Sequence, residues 1–260
     1  MKTIVLSFDD AREDFYTRAY PVLQEMGMKA TLNVTSGFIL YPEKFSCFPS
    51  GENKPMTSDN ILECQKNGIE IALHGSMHLN TKQDVLTNIE ELKSMRVSID
   101  NIGFASPCSY ITFENKNDDG IWDLISKEKK ISYIRSGIQL RREGYIYTFC
   151  SAIDRLIHSK YLFKWLNKRN IIKDIQEPFF LSVAIYSYTT IEQIKGLIDS
   201  MPNNSSLILM FHSILKKMDK GYGVDKWYFD EKKFSDLLSF LNNKKDINIC
   251  TTKDLLSAKS

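Results

Sequence analysis

Short apolar runs alternate along the chain with segments whose apolar residues fall at helical spacing. Residues 3–8 form the first run; Phe15, Ala19, Val22, Leu23 and Met26 then mark one helix face, which stops at Gly27, where a left-handed cap is readily adopted. Further runs at 30–34, 69–73, 102–105, 131–134, 179–185, 206–211 and 246–250 predict strands, and helical patterns at 81–99, 118–127, 191–201 and 229–241 lie between them. Thr57 or Ser58 predicts the cap of one more helix, ending before Gly68. Strands that alternate with helices predict a parallel sheet. Because no glycine-rich phosphate loop follows the first strand, the pattern predicts an α/β fold made of a single distorted parallel β/α barrel with seven or eight strands.

Two regions break the rhythm. The stretch 35–55 contains Pro and Gly and is too long for a simple connector. Between 137 and 178, an aromatic run at 145–150 predicts a strand excursion and 159–168 predicts a helix carrying Trp165, together an insertion at the barrel rim. No repeat or low-complexity linker divides the chain, so one domain over 1–260 is expected, with a rim insert near 137–178.

Composition narrows the classes. A chain of 260 residues that is 43% hydrophobic and 25% charged is ordinary globular material. The charge of +2 is small and no clustered basic patch is evident, which argues against nucleic acid or an anionic membrane as partner. No run approaches the length of a membrane span. No apolar leader precedes residues 3–8, and Cys47, Cys64, Cys108, Cys150 and Cys250 are odd in number without metal-knuckle spacing, so reduced thiols and a cytoplasmic location are expected.

In β/α barrels chemistry collects where strands end. Asp9 and Asp10 follow the first run, His74 and His78 the third, and His212 the seventh, so three of the four histidines stand at strand ends. Two imidazoles four residues apart and one carboxylate make a three-ligand set that leaves a metal position open, as catalytic rather than structural sites do. His158 falls in the irregular insert and is expected at the surface. Cys108 has no evident base to activate it, and Ser76 lacks a nucleophile elbow. Tyr110, Tyr145, Tyr147, Trp165 and Trp227 are candidates for stacking on sugar rings, Trp227 foremost.

These residues resemble the NodB-type polysaccharide deacetylases, carbohydrate esterase family four. Ser7-Phe8-Asp9-Asp10 is similar to the family's first motif, His74 to His78 to its second, and Met210-Phe211-His212 to its last, with Met in the usual Leu place. The resemblance implies a divalent metal held by Asp10, His74 and His78, most commonly Zn2+, with Co2+, Mn2+ or Fe2+ as alternatives. It also implies Asp9 as general base and His212 as general acid. The third motif departs: where the family shows Arg-x-Pro followed by an aromatic residue, this chain has Ala105-Ser106-Pro107-Cys108. Pro107 is kept, so the Cys108 amide can still serve the oxyanion, but the charge partner of the catalytic Asp is missing. Arg135 is the nearest substitute, with a rim salt bridge as its alternative role. Ala11 also stands where the family often carries Gly.

The implied activity is hydrolysis of the acetamido group of an N-acetylated sugar or glycan precursor. An O-acetyl esterase or small-amide hydrolase on the same scaffold, and a carbohydrate-binding protein that has lost catalysis, are the competing readings.

Overall fold

The structure, a computed structural model, describes residues 1–45, 54–138, 143–224 and 226–257. Part of the 35–55 loop, with Cys47, and residues 139–142 of the insert lie outside these. The described strands are β1 (Lys2–Asp9), β2 (Thr31–Val34), β3 (Glu70–Leu73), β4 (Phe104–Ala105), β5 (Ile134–Gly137), β6 (Phe179–Ala184), β7 (Ser206–Phe211), β8 (Ser213–Leu215), β9 (Tyr228–Asp230) and β10 (Ile247–Cys250). The described α-helices are α1 (Tyr20–Glu25), α2 (Ser36–Leu40), α3 (Ser58–Lys66), α4 (Lys82–Ser94), α5 (Asp123–Ser126), α6 (Tyr145–Ile157), α7 (Lys160–Asn167), α8 (Ile191–Asp199), α9 (Glu231–Asn242) and α10 (Asp254–Ser257).

β1 to β7 pair in parallel and in chain order, and β7 closes on β1 from Thr3↔Ser206 to Phe8↔Phe211. The other edge of β1 is shared. Its first half pairs with β10, Lys2↔Ile247 to Val5↔Cys250, and its last residues pair with β2, Ser7↔Thr31 to Asp9↔Asn33. A seven-stranded barrel therefore splays open at its base, and an eighth strand fills the wedge. The eight runs predicted as barrel strands all appear, the fifth displaced to Ile134–Gly137.

Strand alternation sorts the side chains of β1. Ile4, Leu6 and Phe8 join the core between barrel and helices, whereas Val5 packs with Ala72, Tyr133, Phe180 and Ile208 inside the base of the barrel. Toward the mouth the interior turns polar, with Ser7, Asn33, Arg135 and Ser182 all buried.

Three expectations change. Residues 145–150 are the start of helix α6 rather than a strand, because apolar residues recur at helical spacing through Ile153, Leu156 and Ile157 and no sheet edge receives the segment. The predicted strand 131–134 shifts to Ile134–Gly137, which puts Arg135 within β5 rather than at its end. The predicted helix 118–127 shrinks to α5, the preceding residues forming turns.

Candidate active site

The chain leaves β1 through two left-handed residues, Asp10 (φ +81°) and Ala11 (φ +60°), a conformation glycine adopts without strain. This turn sends the adjacent carboxylates apart. Asp9 points into the barrel, where its Oδ1 accepts from the Arg135 guanidinium and from Asn33 Nδ2 at 2.8 Å. Its Oδ2 faces His74 Nε2 at 3.8 Å and His212 Nε2 at 4.0 Å. Asp10 Oδ2 accepts from Arg12 Nε at 2.9 Å and Nη2 at 2.7 Å, while Arg12 Nη1 donates to Ser213 Oγ at 2.8 Å. Asp10 Oδ1 is buried without a hydrogen-bond partner among the described residues, 3.5 Å from His74 Nε2 and 3.8 Å from His78 Nε2.

His74 follows β3, and its Nδ1 lies 2.8 Å from the Ala105 carbonyl. A carbonyl only accepts, so Nδ1 carries the proton and Nε2 presents its lone pair. The loop from His74 to His78 is held by Asp84 in the first turn of α4, which accepts from Met77 N at 2.8 Å and Leu79 N at 3.0 Å. Gly75 (φ +81°) is required there, since a Cβ would stand 2.4 Å from Asp84 Oδ2. The donor atoms of Asp10, His74 and His78 all lie within 4.8 Å of one another. One unpartnered buried carboxylate oxygen facing two imidazole nitrogens fits a divalent cation, and three ligands leave a coordination position open.

The electrostatics agree with that use. Burial is the largest influence on Asp9 and raises it, but Arg135, His74 and His212 outweigh it and hold the carboxyl below its usual range. Burial likewise raises Asp10 and is outweighed first by Arg12. His78 and His212 are both pushed down to about 4, chiefly by burial. Neutral imidazole is the form that accepts a cation.

Arg135 occupies the register position directly beside Ala105 on the neighbouring strand. It is 1% exposed, its Nη2 meets Asp9, and its Nη1 lies against Met210 Sδ and 3.5 Å from Ser182 Oγ. Arg135 thus brings a buried cation to Asp9 from β5, beside the place that Ala105 holds on β4. Pro107 begins the turn Pro107–Ser109, its carbonyl accepting from Asn80 Nδ2 at 2.9 Å, and Cys108 holds a φ of +54°. The Cys108 thiol is pushed up by desolvation and then by Asp10 and Asp9, which disfavours a thiolate. The Trp227 ring is half-buried, 4.6 Å from His212 and 5.1 Å from Tyr186. Tyr145, Tyr147 and Trp165 sit on the insert, Tyr147 stacking on Trp165, and His158 is exposed at the end of α6.

Arg12, Asn33 and Asp84 escape sequence reasoning. Arg12 beside Glu13 reads as a solvated turn, and Asp84 as an ordinary first-turn acid. Only Asn33 carries a signal, a polar residue inside an apolar strand.

Fold and cluster define a β/α barrel that brings one carboxylate and two histidines together where its strands end. Residues 1–113, the segment that holds Asp9, Asp10, His74 and His78, match the family model of the polysaccharide deacetylases. YxkH of Bacillus subtilis (strain 168), which carries the polysaccharide deacetylase name, is 33% identical over 78 residues, 30% of this chain and 24% of that protein. The match thus spans about a quarter of this relative's length. A family 4 acetyl xylan esterase from Clostridium thermocellum, solved with a cobalt ion, superposes over 99% of this chain and 91% of its own with a TM-score of 0.52 and 11% identity. A Mycobacterium smegmatis protein described as a polysaccharide deacetylase gives 0.60 over 99% and 89%, also at 11% identity. A 4-alpha-glucanotransferase from Thermococcus litoralis shares the fold at a TM-score of 0.53 and 14% identity, over 98% of this chain and 40% of its own, so the barrel by itself selects no single chemistry.

Proposed function

We propose that the chain is a divalent-metal-dependent hydrolase, acting as one catalytic domain, that removes the acetyl group from an N-acetylated sugar or glycan precursor. Asp10 Oδ1, His74 Nε2 and His78 Nε2 would hold the cation, zinc by the nature of the donor set, with cobalt, manganese or iron as alternatives. When bound, the metal supplies Lewis acidity at the acetyl carbonyl and lowers the pKa of water.

The remaining steps belong to the chain. Asp9, its Oδ1 fixed by Arg135 and Asn33, takes the proton of the attacking water at Oδ2. His212 Nε2, 4.0 Å from that oxygen, is the better resting place for a proton because Asp9 is held lower than His212. From His212 the proton passes to the sugar nitrogen as the carbon–nitrogen bond breaks and acetate leaves. The Cys108 amide is the proposed oxyanion donor at the Pro107 turn, and the Trp227 ring the wall for a sugar face.

The observation that carries this reading is the buried, unpartnered Asp10 Oδ1 between two imidazole nitrogens. The pairing of Arg135 with Asp9 speaks against a binding protein without catalysis, which drew its support from the missing third-motif Arg. Metal analysis with an acetate-release screen over N- and O-acetylated sugars tests the proposal. The expected result is about one ion per chain, lost in His78→Ala, and acetate release from an acetamido sugar that a chelator abolishes. Metal-free protein at neutral pH, or ion binding unchanged in His78→Ala, overturns it. Release from O-acetyl sugars alone moves the substrate to an ester.

A further inference from the structure

Helix α6 wears its polarity inside out. The residue it buries is a carboxylate, Asp154, whose oxygens accept from Gln193 Nε2 at 3.1 and 3.0 Å. Its large apolar residues face outward: Tyr145 is 95% exposed, Ile146 70%, Phe149 67%, Leu156 81% and Ile157 62%, and Tyr161 of α7 adds 75%. Tyr145, Phe149 and Leu156 are four and seven residues apart, so they form one stripe. A water-facing helix shows the reverse arrangement.

Cations outnumber acids along α6, α7 and the turn that follows them, before exposed Asp174 and Glu177. Between residues 143 and 173 the exposed ionic side chains are Arg155, Lys160, Lys164, Lys168, Arg169 and Lys173, while the acids are Glu143, half-buried and paired with Arg169, and the buried Asp154. The small net charge of the whole chain conceals this local excess.

We propose that α6 and α7 form a docking face for an anionic lipid bilayer, with the apolar stripe lying in the headgroup region and the cations around it. Three observations choose this occupant. The helix has 13 residues, short of the roughly 20 needed to span, so it lies on a membrane rather than crosses it. The cations, Arg155 of α6 with Lys160 and Lys164 of α7 and those that follow, complement anionic headgroups and add to the apolar attraction. A second copy packed on the same face would set those cations against one another.

The face also adjoins the mouth of the barrel. Asp154 is anchored at the start of α8, Arg155 lies over the Tyr188 ring at 5.3 Å, and the rings of Tyr188, Tyr186, Trp227 and His212 follow one another at 5.2, 5.1 and 4.6 Å. The proposal rests on α6 and α7 and not on the catalytic reading.

Flotation of the whole chain with phosphatidylcholine vesicles, with and without about 30% phosphatidylglycerol, tests it. The chain is expected to float with the anionic vesicles and to lose about tenfold or more in binding to neutral ones or in about 0.5 M salt. Combined Phe149→Ser, Leu156→Ser and Ile157→Ser, and separately Lys160→Glu with Lys164→Glu, should each lower binding about tenfold or more with unchanged thermal unfolding, since all these side chains are exposed. Absence of flotation, or equal flotation with neutral vesicles, overturns the proposal. A dimer in ultracentrifugation that the triple serine variant dissolves, with no vesicle binding, assigns the face to a second copy and also overturns it.

Discussion

Asp9 divides its labour between two oxygens. Oδ1 is spent on Arg135 and Asn33 and Oδ2 is left toward the histidines, so the guanidinium sets both the charge and the orientation of the carboxylate. Arg135→Met is therefore expected to lower kcat by about tenfold or more, roughly 1.4 kcal/mol of transition-state stabilisation, with bound metal retained. Without that cation the Asp9 carboxyl titrates higher, so the acidic limb of the pH–rate profile moves up in pH. A profile identical to wild type would leave Arg135 a purely structural residue. Because Ala105 and Arg135 are register partners, Ala105→Arg added to Arg135→Ala should restore part of the lost rate, which a merely structural role does not predict. Asp9→Asn should keep the metal and lose about 10²- to 10⁴-fold in turnover, and near-normal turnover would move the base role to another group. Asp9, Asp10, His74, His78 and His212 are legible in the sequence because a polar residue at the end of an apolar run has few other reasons to be there. The destination of Arg135 is not, since inward and outward positions alternate along a strand and a shift of the boundary by one residue reverses them.

At the scale of elements, the loop from His74 to His78 depends on α4 as much as on β3. Asp84 ties the amides of Met77 and Leu79, and Gly75 leaves room for its carboxylate, so the helix start and the loop form one unit. Asp84→Ala should weaken metal binding by about 10- to 100-fold, as loss of ligand support typically does, and reduce stability by about 1–3 kcal/mol through the freed amides. Metal titration and thermal unfolding read the two effects separately; unchanged affinity in a variant that folds would show that His78 holds its place without this support. The element misread from sequence is α6. Tyr145-Ile146-Tyr147-Thr148-Phe149 has the aromatic and β-branched content of a strand, and within so short a window propensity outweighs period. Only the full 13 residues show helical spacing, and what settles the matter is tertiary: β5 and β6 already pair with each other from Ile134↔Phe179 to Gly137↔Ser182 and offer this segment no edge.

The barrel splays open where β1 passes from β10 to β2, and Glu70 gathers the chain there. Its Oε1 accepts from Tyr133 OH at 2.8 Å, and its Oε2 accepts from Thr31 Oγ1 at 2.7 Å and from Lys253 N at 3.0 Å, joining β2, β3, the approach to β5 and the segment after β10. Burial is the largest influence on this carboxyl and raises its pKa despite those three bonds. A group whose pKa is raised on folding contributes fully below its ordinary value, and that contribution is lost as pH rises through the raised value. Glu70→Gln keeps the shape and replaces the charge with an amide whose oxygen can accept from Thr31 and Lys253 and whose nitrogen can donate to the Tyr133 hydroxyl. In chelator-treated protein, so that metal binding does not enter, the unfolding temperature of Glu70→Gln should rise relative to wild type as pH goes from about 4 to about 7. A difference that stays constant across that range would mean the carboxylate is held in its charged form without penalty, and that the three donors at the base of the barrel exist to stabilise the charge and not only to join the strands.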